Sequence, residues 1–250
     1  MIGTVAIASG KGGAGTTFLA VSLAHALART GRRVLLVDAA LGLANVDVQL
    51  GLVADRHLGR AFSEGRRLAE LVVRDEHSGL DLLLGPSGWR ALAGLAGPRL
   101  ERLALELEAL ATGYDATVLD LPAGIGPPTL YLSARARRAL LVTTPEPTAL
   151  TDAYALLKIG LKDHPALALV VNLAADPEDG RDAARTLAAA SRRFLSRELE
   201  LLGVVRRDPR VGEAIAAQRP LLSRHPHAAA AEDVLRLAQR LAARSAGPRA

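Results

Sequence analysis

The sequence predicts an α/β fold of three layers, a doubly wound and mainly parallel sheet within one domain. Three observations predict it. Short β-branched runs alternate with long Ala/Leu segments of helical spacing along the 250 residues, the order that successive βαβ units produce. Half of the residues are apolar, enough to fill a large core in a chain of this length. No linker or fixed-period repeat divides the alternation, so residues 1–244 are expected to form one domain and 245–250 a frayed tail.

The elements follow in order. Thr4–Ala8 reads as the first strand. A glycine-rich string follows it, then a helix from about Thr16 to Arg29, closed by Gly31 at a C-cap position. Arg33–Val37 is the second strand and ends at Asp38; Leu80–Leu84 is the third. Gly85–Pro98 is rich in Gly and Pro and reads as an irregular surface loop, with Trp89 as a packing anchor. Leu100, Leu103, Ala104, Leu107 and Leu110 make a core-facing helical stripe. Ala116–Leu119 is a strand ending at Asp120, Leu140–Thr143 and Leu167–Val171 are two more, and Val204–Val205 begins or ends a last one. Val234, Leu237, Ala238, Leu241 and Ala242 share one face of a C-terminal helix.

Composition excludes several classes. There are no cysteines, so disulfides, thiolate zinc sites and cysteine-ligated clusters are ruled out. No apolar run reaches the ~18–20 residues that span a bilayer, and no basic stretch leads into a long apolar core at the N-terminus. Cytoplasmic residence is expected. The net charge of +5 is carried by arginine, with lysine only at 11, 158 and 162; the bias reads as compositional rather than as a nucleic-acid footprint. Lys11 stands out against it, because a compact ammonium fits a phosphate cradle where a planar guanidinium does not.

That lysine lies in Gly10-Lys11-Gly12-Gly13-Ala14-Gly15-Thr16-Thr17. A strand, then Gly-x-x-x-x-Gly-x-Thr, then a helix is the arrangement that cradles phosphates. Glycines let backbone N–H groups turn inward, and the helix N-terminus adds positive potential. Thr17 offers a hydroxyl to Mg²⁺. The lysine that ordinarily precedes this final hydroxyl is absent, and Thr16 stands in its place.

Lys11-Gly12-Gly13-Ala14-Gly15 resembles the deviant Walker A motif of the MinD/ParA/Soj superfamily of P-loop NTPases. Val34–Asp38 resembles the strand ending in that family's first switch aspartate. Tyr114–Asp120 resembles the Walker B strand, Leu121-Pro122-Ala123-Gly124 the second switch, and Leu202–Val205 with Asp208 and Val211 the final strand and helix. The segments Gly42–Leu52 and Thr143–Lys158 are similar to the FlhG subgroup (also called FleN or YlxH), which regulates the number and placement of bacterial flagella. The resemblance implies ATP and Mg²⁺ as ligands and an ATP-dependent homodimer working as a spatial switch. It implies that Lys11 reaches the partner's phosphates, that Thr17, Asp38 and Asp120 hold Mg²⁺, and that Lys11, Asp38 and Asp120 serve catalysis. The nucleotide set is Gly10 to Thr17, Pro145, Glu146 and Asn172, with Asn172 on the adenine; whether Glu146 touches nucleotide or only caps the following helix stays open. Implied partners are proteins of the flagellar placement machinery.

Two departures bear on turnover. The family pattern after the second strand is Asp-x-Asp, whereas this chain reads Asp38-Ala39-Ala40. Ala40 replaces a water-positioning carboxylate and Thr16 a phosphate-binding lysine, each worth several kcal/mol in a transition state. The expectation is ATP binding with slow or lost hydrolysis. FlhG proteins often carry a glutamine-rich activating motif ahead of the first strand; here that strand begins almost at Met1, and stimulation of a partner GTPase through such a motif is not expected. The helix Glu232–Arg244 lacks bulky aromatics for insertion and reads as core-packing; a weak peripheral contact with the inner face of the membrane stays open. The arginine clusters 135/137/138 and 206/207/210 read as solvated faces, with ParA-like DNA association as the alternative. A nucleotide-dependent scaffold without catalysis is the other alternative. His225-Pro226-His227 reads as solvated loop.

Overall fold

The computed structural model describes residues 1–40, 45–53, 55–85 and 95–244. Its strands are β1 (Gly3–Ser9), β2 (Val34–Asp38), β3 (Val73–Asp75), β4 (Leu80–Leu83), β5 (Ala116–Asp120), β6 (Arg138–Thr143), β7 (Leu167–Ala174) and β8 (Leu201–Arg206). They form one sheet in the order β3-β4-β2-β5-β1-β6-β7-β8. Every neighbouring pair is parallel except the β3–β4 hairpin at one edge.

Period-2 geometry builds two cores from one sheet. Ile7, Leu36, Val118 and Val142 point to one face, while Ala6, Ala8, Leu35, Val37, Leu119 and Leu141 point to the other. The first face is covered by α1 (Thr16–Ala28) and the C-terminal helix. The second is covered by α5 (Gly97–Ala111), α6 (Pro127–Arg135), α7 (Pro147–Leu156) and α8 (Pro177–Leu195). Residues 18–27 of α1 are all buried, and apart from Ser22 and His25 they are apolar on every face. Short helices α2 (Val46–Leu50), α3 (Gly59–Ser63) and α4 (Leu68–Leu71) follow β2. After β8 come α9 (Pro209–Ala216), α10 (Leu221–Arg224) and α11 (Ala229–Ala243).

The stripe on α5 is as expected at Leu100, Leu103, Ala104 and Leu107, all buried. Gly97 and Pro98 belong to that helix rather than to a loop, with Pro in the first turn, where no N–H is needed. Residues 86–94, Trp89 among them, lie outside the described residues, as do 41–44, 54 and 245–250. The first helix ends at Ala28, and Gly31 takes the left-handed backbone only after Arg29 and Thr30. α7 runs directly into one π-helical turn, Leu157–Leu161.

Helix α11 is a core helix. Val234, Leu237, Ala238 and Leu241 are buried against the first face. Asp233 pins it to β8: its carboxylate accepts from the Arg206 backbone N–H at 3.0 Å, from Arg206 Nε at 2.8 Å and from Arg206 Nη2 at 3.1 Å. These bonds hold the Asp233 carboxyl below its ordinary range although burial pushes it up. Asp233→Ala leaves the Arg206 backbone N–H without a partner and the guanidinium with only the Ala229 carbonyl at 3.2 Å and Glu232 at 3.6 Å, so about 1–2 kcal/mol of stability is expected to go. Urea denaturation checks this; a loss below about 0.5 kcal/mol contradicts it. Among the described residues no helix is long and apolar enough to cross a membrane.

Candidate nucleotide site

Parallel strands bring their carboxyl ends to one edge, where open α/β sheets place their ligands. Register puts Asp120 beside Ile7 on β1 and beside Asp38 on β2. The loop from Gly10 to Gly15 leaves β1 over this edge and feeds α1. Packing dictates its end glycines. A Cβ on Gly10 would lie 2.0 Å from the Asp152 carbonyl oxygen of α7, and one on Gly15 would lie 2.3 Å from Asn172 Nδ2. Gly13 and Gly15 also take left-handed backbone, with φ of 85° and 80°. Gly12 and Gly13 face open space, which leaves that stretch of backbone free to approach a phosphate.

Two buried carboxylates stand below the loop. Asp38 Oδ2 accepts from the backbone N–H groups of Asn45 and Val46, each at 3.0 Å, and its Oδ1 accepts from Ala40 N at 3.1 Å. Burial pushes its carboxyl up to about 6 against these bonds. Asp120 is fully buried, and no hydrogen bond of ordinary geometry reaches either oxygen. Burial and then the Asp38 charge push it up to about 8, while the nearby Thr17 hydroxyl pulls it partway back. Two orphaned carboxyl oxygens, which a bound cation would hold ionised, a second carboxylate and a hydroxyl form a hard, oxygen-only donor set that suits Mg²⁺.

Lys11 does not point into the cradle. Its ammonium donates to Glu146 Oε2 at 3.0 Å and to Thr148 Oγ1 at 2.8 Å, at the start of α7. Glu146 occupies the N-cap position of that helix, but its side chain makes no capping bond. Thr148 lies within the FlhG-like segment Thr143–Lys158, but its pairing with Lys11 appears only in three dimensions. Pro145 is half-buried between Thr144 and Glu146. Thr16 opens α1 and brings no charge to the loop.

Asn172 sits beneath the loop. Its Nδ2 donates to the Ala14 carbonyl at 2.9 Å, and its Oδ1 is buried without a partner. The register of β7 and β8 slips between Val171 and Ala174, and Leu173 takes φ 58°. A non-glycine residue pays strain there, and the irregularity lies right beside Asn172. Thr144 Oγ1 is likewise buried and unpartnered. No residue pattern around Leu173 announces this irregularity.

The arginine clusters are largely engaged. Arg135 makes a two-bond pair with Glu108 at 2.7 and 2.9 Å, Arg210 pairs with Glu213 at 2.7 Å, and Arg206 is the partner of Asp233.

This geometry has known relatives. A family model described as cellulose biosynthesis protein BcsQ matches residues 2–241. Antiactivator FleN of Pseudomonas aeruginosa is 36% identical over 239 residues, covering 95% of this chain and 85% of the relative. The chain belongs to the MinD/ParA family. Flagellum site-determining protein YlxH of Helicobacter pylori is 35% identical to this MinD/ParA protein over 202 residues, 80% of the chain and 68% of the relative. Among solved structures, the cell division ATPase MinD of Pyrococcus furiosus superposes with a TM-score of 0.82 at 25% identity, covering 97% of this chain and 99% of that one.

Proposed function

We propose that this protein is an ATP-dependent, dimerising regulatory switch of the FlhG type that acts on flagellar number or placement and turns ATP over slowly. The observation that carries the nucleotide reading is the orphaned Asp120 carboxylate below a glycine loop with an open middle. The flagellar role rests on the likeness to FleN and YlxH, whose names assign antiactivation and flagellar site determination to those proteins. Thr17, Asp120 and Asp38 would hold Mg²⁺, which supplies neutralising charge to the phosphates when bound. Loop backbone N–H groups and the α1 N-terminus orient those phosphates.

Asn172 then reads the base. Its amide is oriented by the Ala14 carbonyl, which leaves Oδ1 as an acceptor. Adenine offers an exocyclic amino donor where guanine offers a carbonyl. ATP is expected to bind about tenfold or more tightly than GTP, and Asn172→Ala to erase most of that preference. Equal affinities in the unsubstituted protein would contradict this role.

The deciding experiment is affinity and turnover on one preparation, with size-exclusion in Mg-ADP and in Mg-ATP. ATP binding, a dimer in ATP and turnover well below an intact family ATPase support the reading. Salt-sensitive binding to random DNA in ATP would favour the ParA-like alternative; the pairing of Arg135, Arg206 and Arg210 argues against it. A residence on the inner membrane face is disfavoured by the buried apolar face of α11, and co-sedimentation with anionic vesicles tests it.

A further inference from the structure

We propose that α2 is a strut carrying the state of the Asp38–Asp120 pair to the end of α9 at Gln218; the inference rests on the Mg-nucleotide reading of the site. The near end of the strut is held by Asp38. Its Oδ2 alone takes the N–H groups of Asn45 and Val46, the residues that start α2. Asp38 cannot share that oxygen with the shell of a cation and keep both N–H bonds at full strength. A cation that draws on Oδ2, rather than on Oδ1 with its single bond from Ala40, therefore loosens or shifts the first turn of α2.

The body of the strut is stiff. Val46 and Leu50 are buried in the first core, against α1. Close-packed elements slide as units rather than deform. The five residues span about 7.5 Å.

The far end abuts α9. Gly51 follows α2 with φ +67°, and a Cβ there would lie 2.9 Å from Gln218 Cβ and 3.1 Å from Gln218 Oε1. Gln218 Nε2 also donates to the Val48 carbonyl at 3.4 Å. Gln218 itself ends α9 in the left-handed region, with φ 52°; its N–H bonds to the Ile215 carbonyl and the Arg219 N–H to that of Ala214. Glycine would close this helix without strain. A glutamine there bears strain at the position where its side chain packs against both Val48 and Gly51, and this contact couples α2 to α9.

Hydrogen exchange on the full chain, with and without Mg²⁺ and ATP, tests this. Amides 10–17 report nucleotide binding and should slow about tenfold or more. Amides 45–50 and 217–219 should change together, by about threefold or more. Gln218→Gly keeps the left-handed turn and removes the contact. In that variant the response at 10–17 and 45–50 should persist while that at 217–219 disappears. The strut is overturned if 217–219 respond undiminished in Gln218→Gly. It is also overturned if they stay silent in the unsubstituted protein while 10–17 slow. If 10–17 do not slow, the nucleotide reading falls, and the strut falls with it.

Discussion

Asp120→Asn is expected to stabilise the nucleotide-free protein while abolishing its Mg²⁺-dependent grip on nucleotide. The carboxylate is buried, touches no hydrogen-bond donor of ordinary geometry and faces a second carboxylate one strand away. Ionising it in that place opposes folding. The neutral amide removes that penalty, so the empty fold should gain about 1–3 kcal/mol at pH 8. The same change removes an ionisable oxygen from the proposed cation site, and Mg-ATP affinity should fall about 100-fold or more. Urea denaturation and calorimetry give the two numbers. A variant less stable than its parent would show that Asp120 is structural rather than a site residue held in readiness.

The sign of the pH dependence follows from the same pair. Asp120 is raised from 3.8 to about 8 and Asp38 to about 6, so the folded state binds more protons than the unfolded chain above the ordinary carboxylate range. Their contribution is present below that range and is lost as pH rises, through about 6 for Asp38 and about 8 for Asp120. His25 works in the opposite sense. Burial lowers it to about 4, so its contribution is present above 6.5 and is lost as pH falls toward 4. Below 6.5 the groups oppose one another. Between 6.5 and 8 Asp120 dominates, and the empty protein should lose up to ~2 kcal/mol as pH rises. Asp120→Asn should flatten that slope.

Much of this was legible in the residues. The ends of β2 and β5 at Asp38 and Asp120 follow from β-branched runs closed by a carboxylate, and the α5 stripe from its 3.6-residue period. What periodicity misses is set by tertiary context. Val204–Val205 gives only a fragment of β8, because Gly203 interrupts the pattern where a Cβ would lie 2.7 Å from Leu237 of α11. The three-residue β3 is too short to show a period. The choice between Glu146 as nucleotide contact and as helix cap did not include the one the structure makes, an ion pair with Lys11 across 135 positions. Local sequence carries no record of such a pairing. Asn172 directly follows the expected strand Leu167–Val171, but its place under the loop is not legible there, since the register slip at Leu173 depends on β8.

Restoring Thr16→Lys and Ala40→Asp together is expected to raise ATP turnover about 100-fold or more, and more than the two single changes combined. The chain has one cation and one anion fewer than the family pattern around the phosphates. Those two absences balance. Ala40 lies two residues from Asp38, and its N–H already serves that carboxylate. A third carboxylate added alone would sit beside two whose ionisation is already suppressed by burial, and further by the charge of Asp47 on Asp38 and of Asp38 on Asp120. Ala40→Asp alone should therefore destabilise the empty protein and add little turnover. Thr16→Lys alone places an ammonium on the first residue of α1, beside the site, while Lys11 is held by Glu146 and Thr148. It should tighten ATP about tenfold without positioning a water. Only the pair supplies both charge for the phosphates and a group to orient the nucleophile, so the cycle should be strongly non-additive. Single-turnover kinetics on the four proteins decides it. An unsubstituted protein that already matches the double variant would mean that other groups do the work of Lys and Asp, and that Thr16 and Ala40 are neutral replacements.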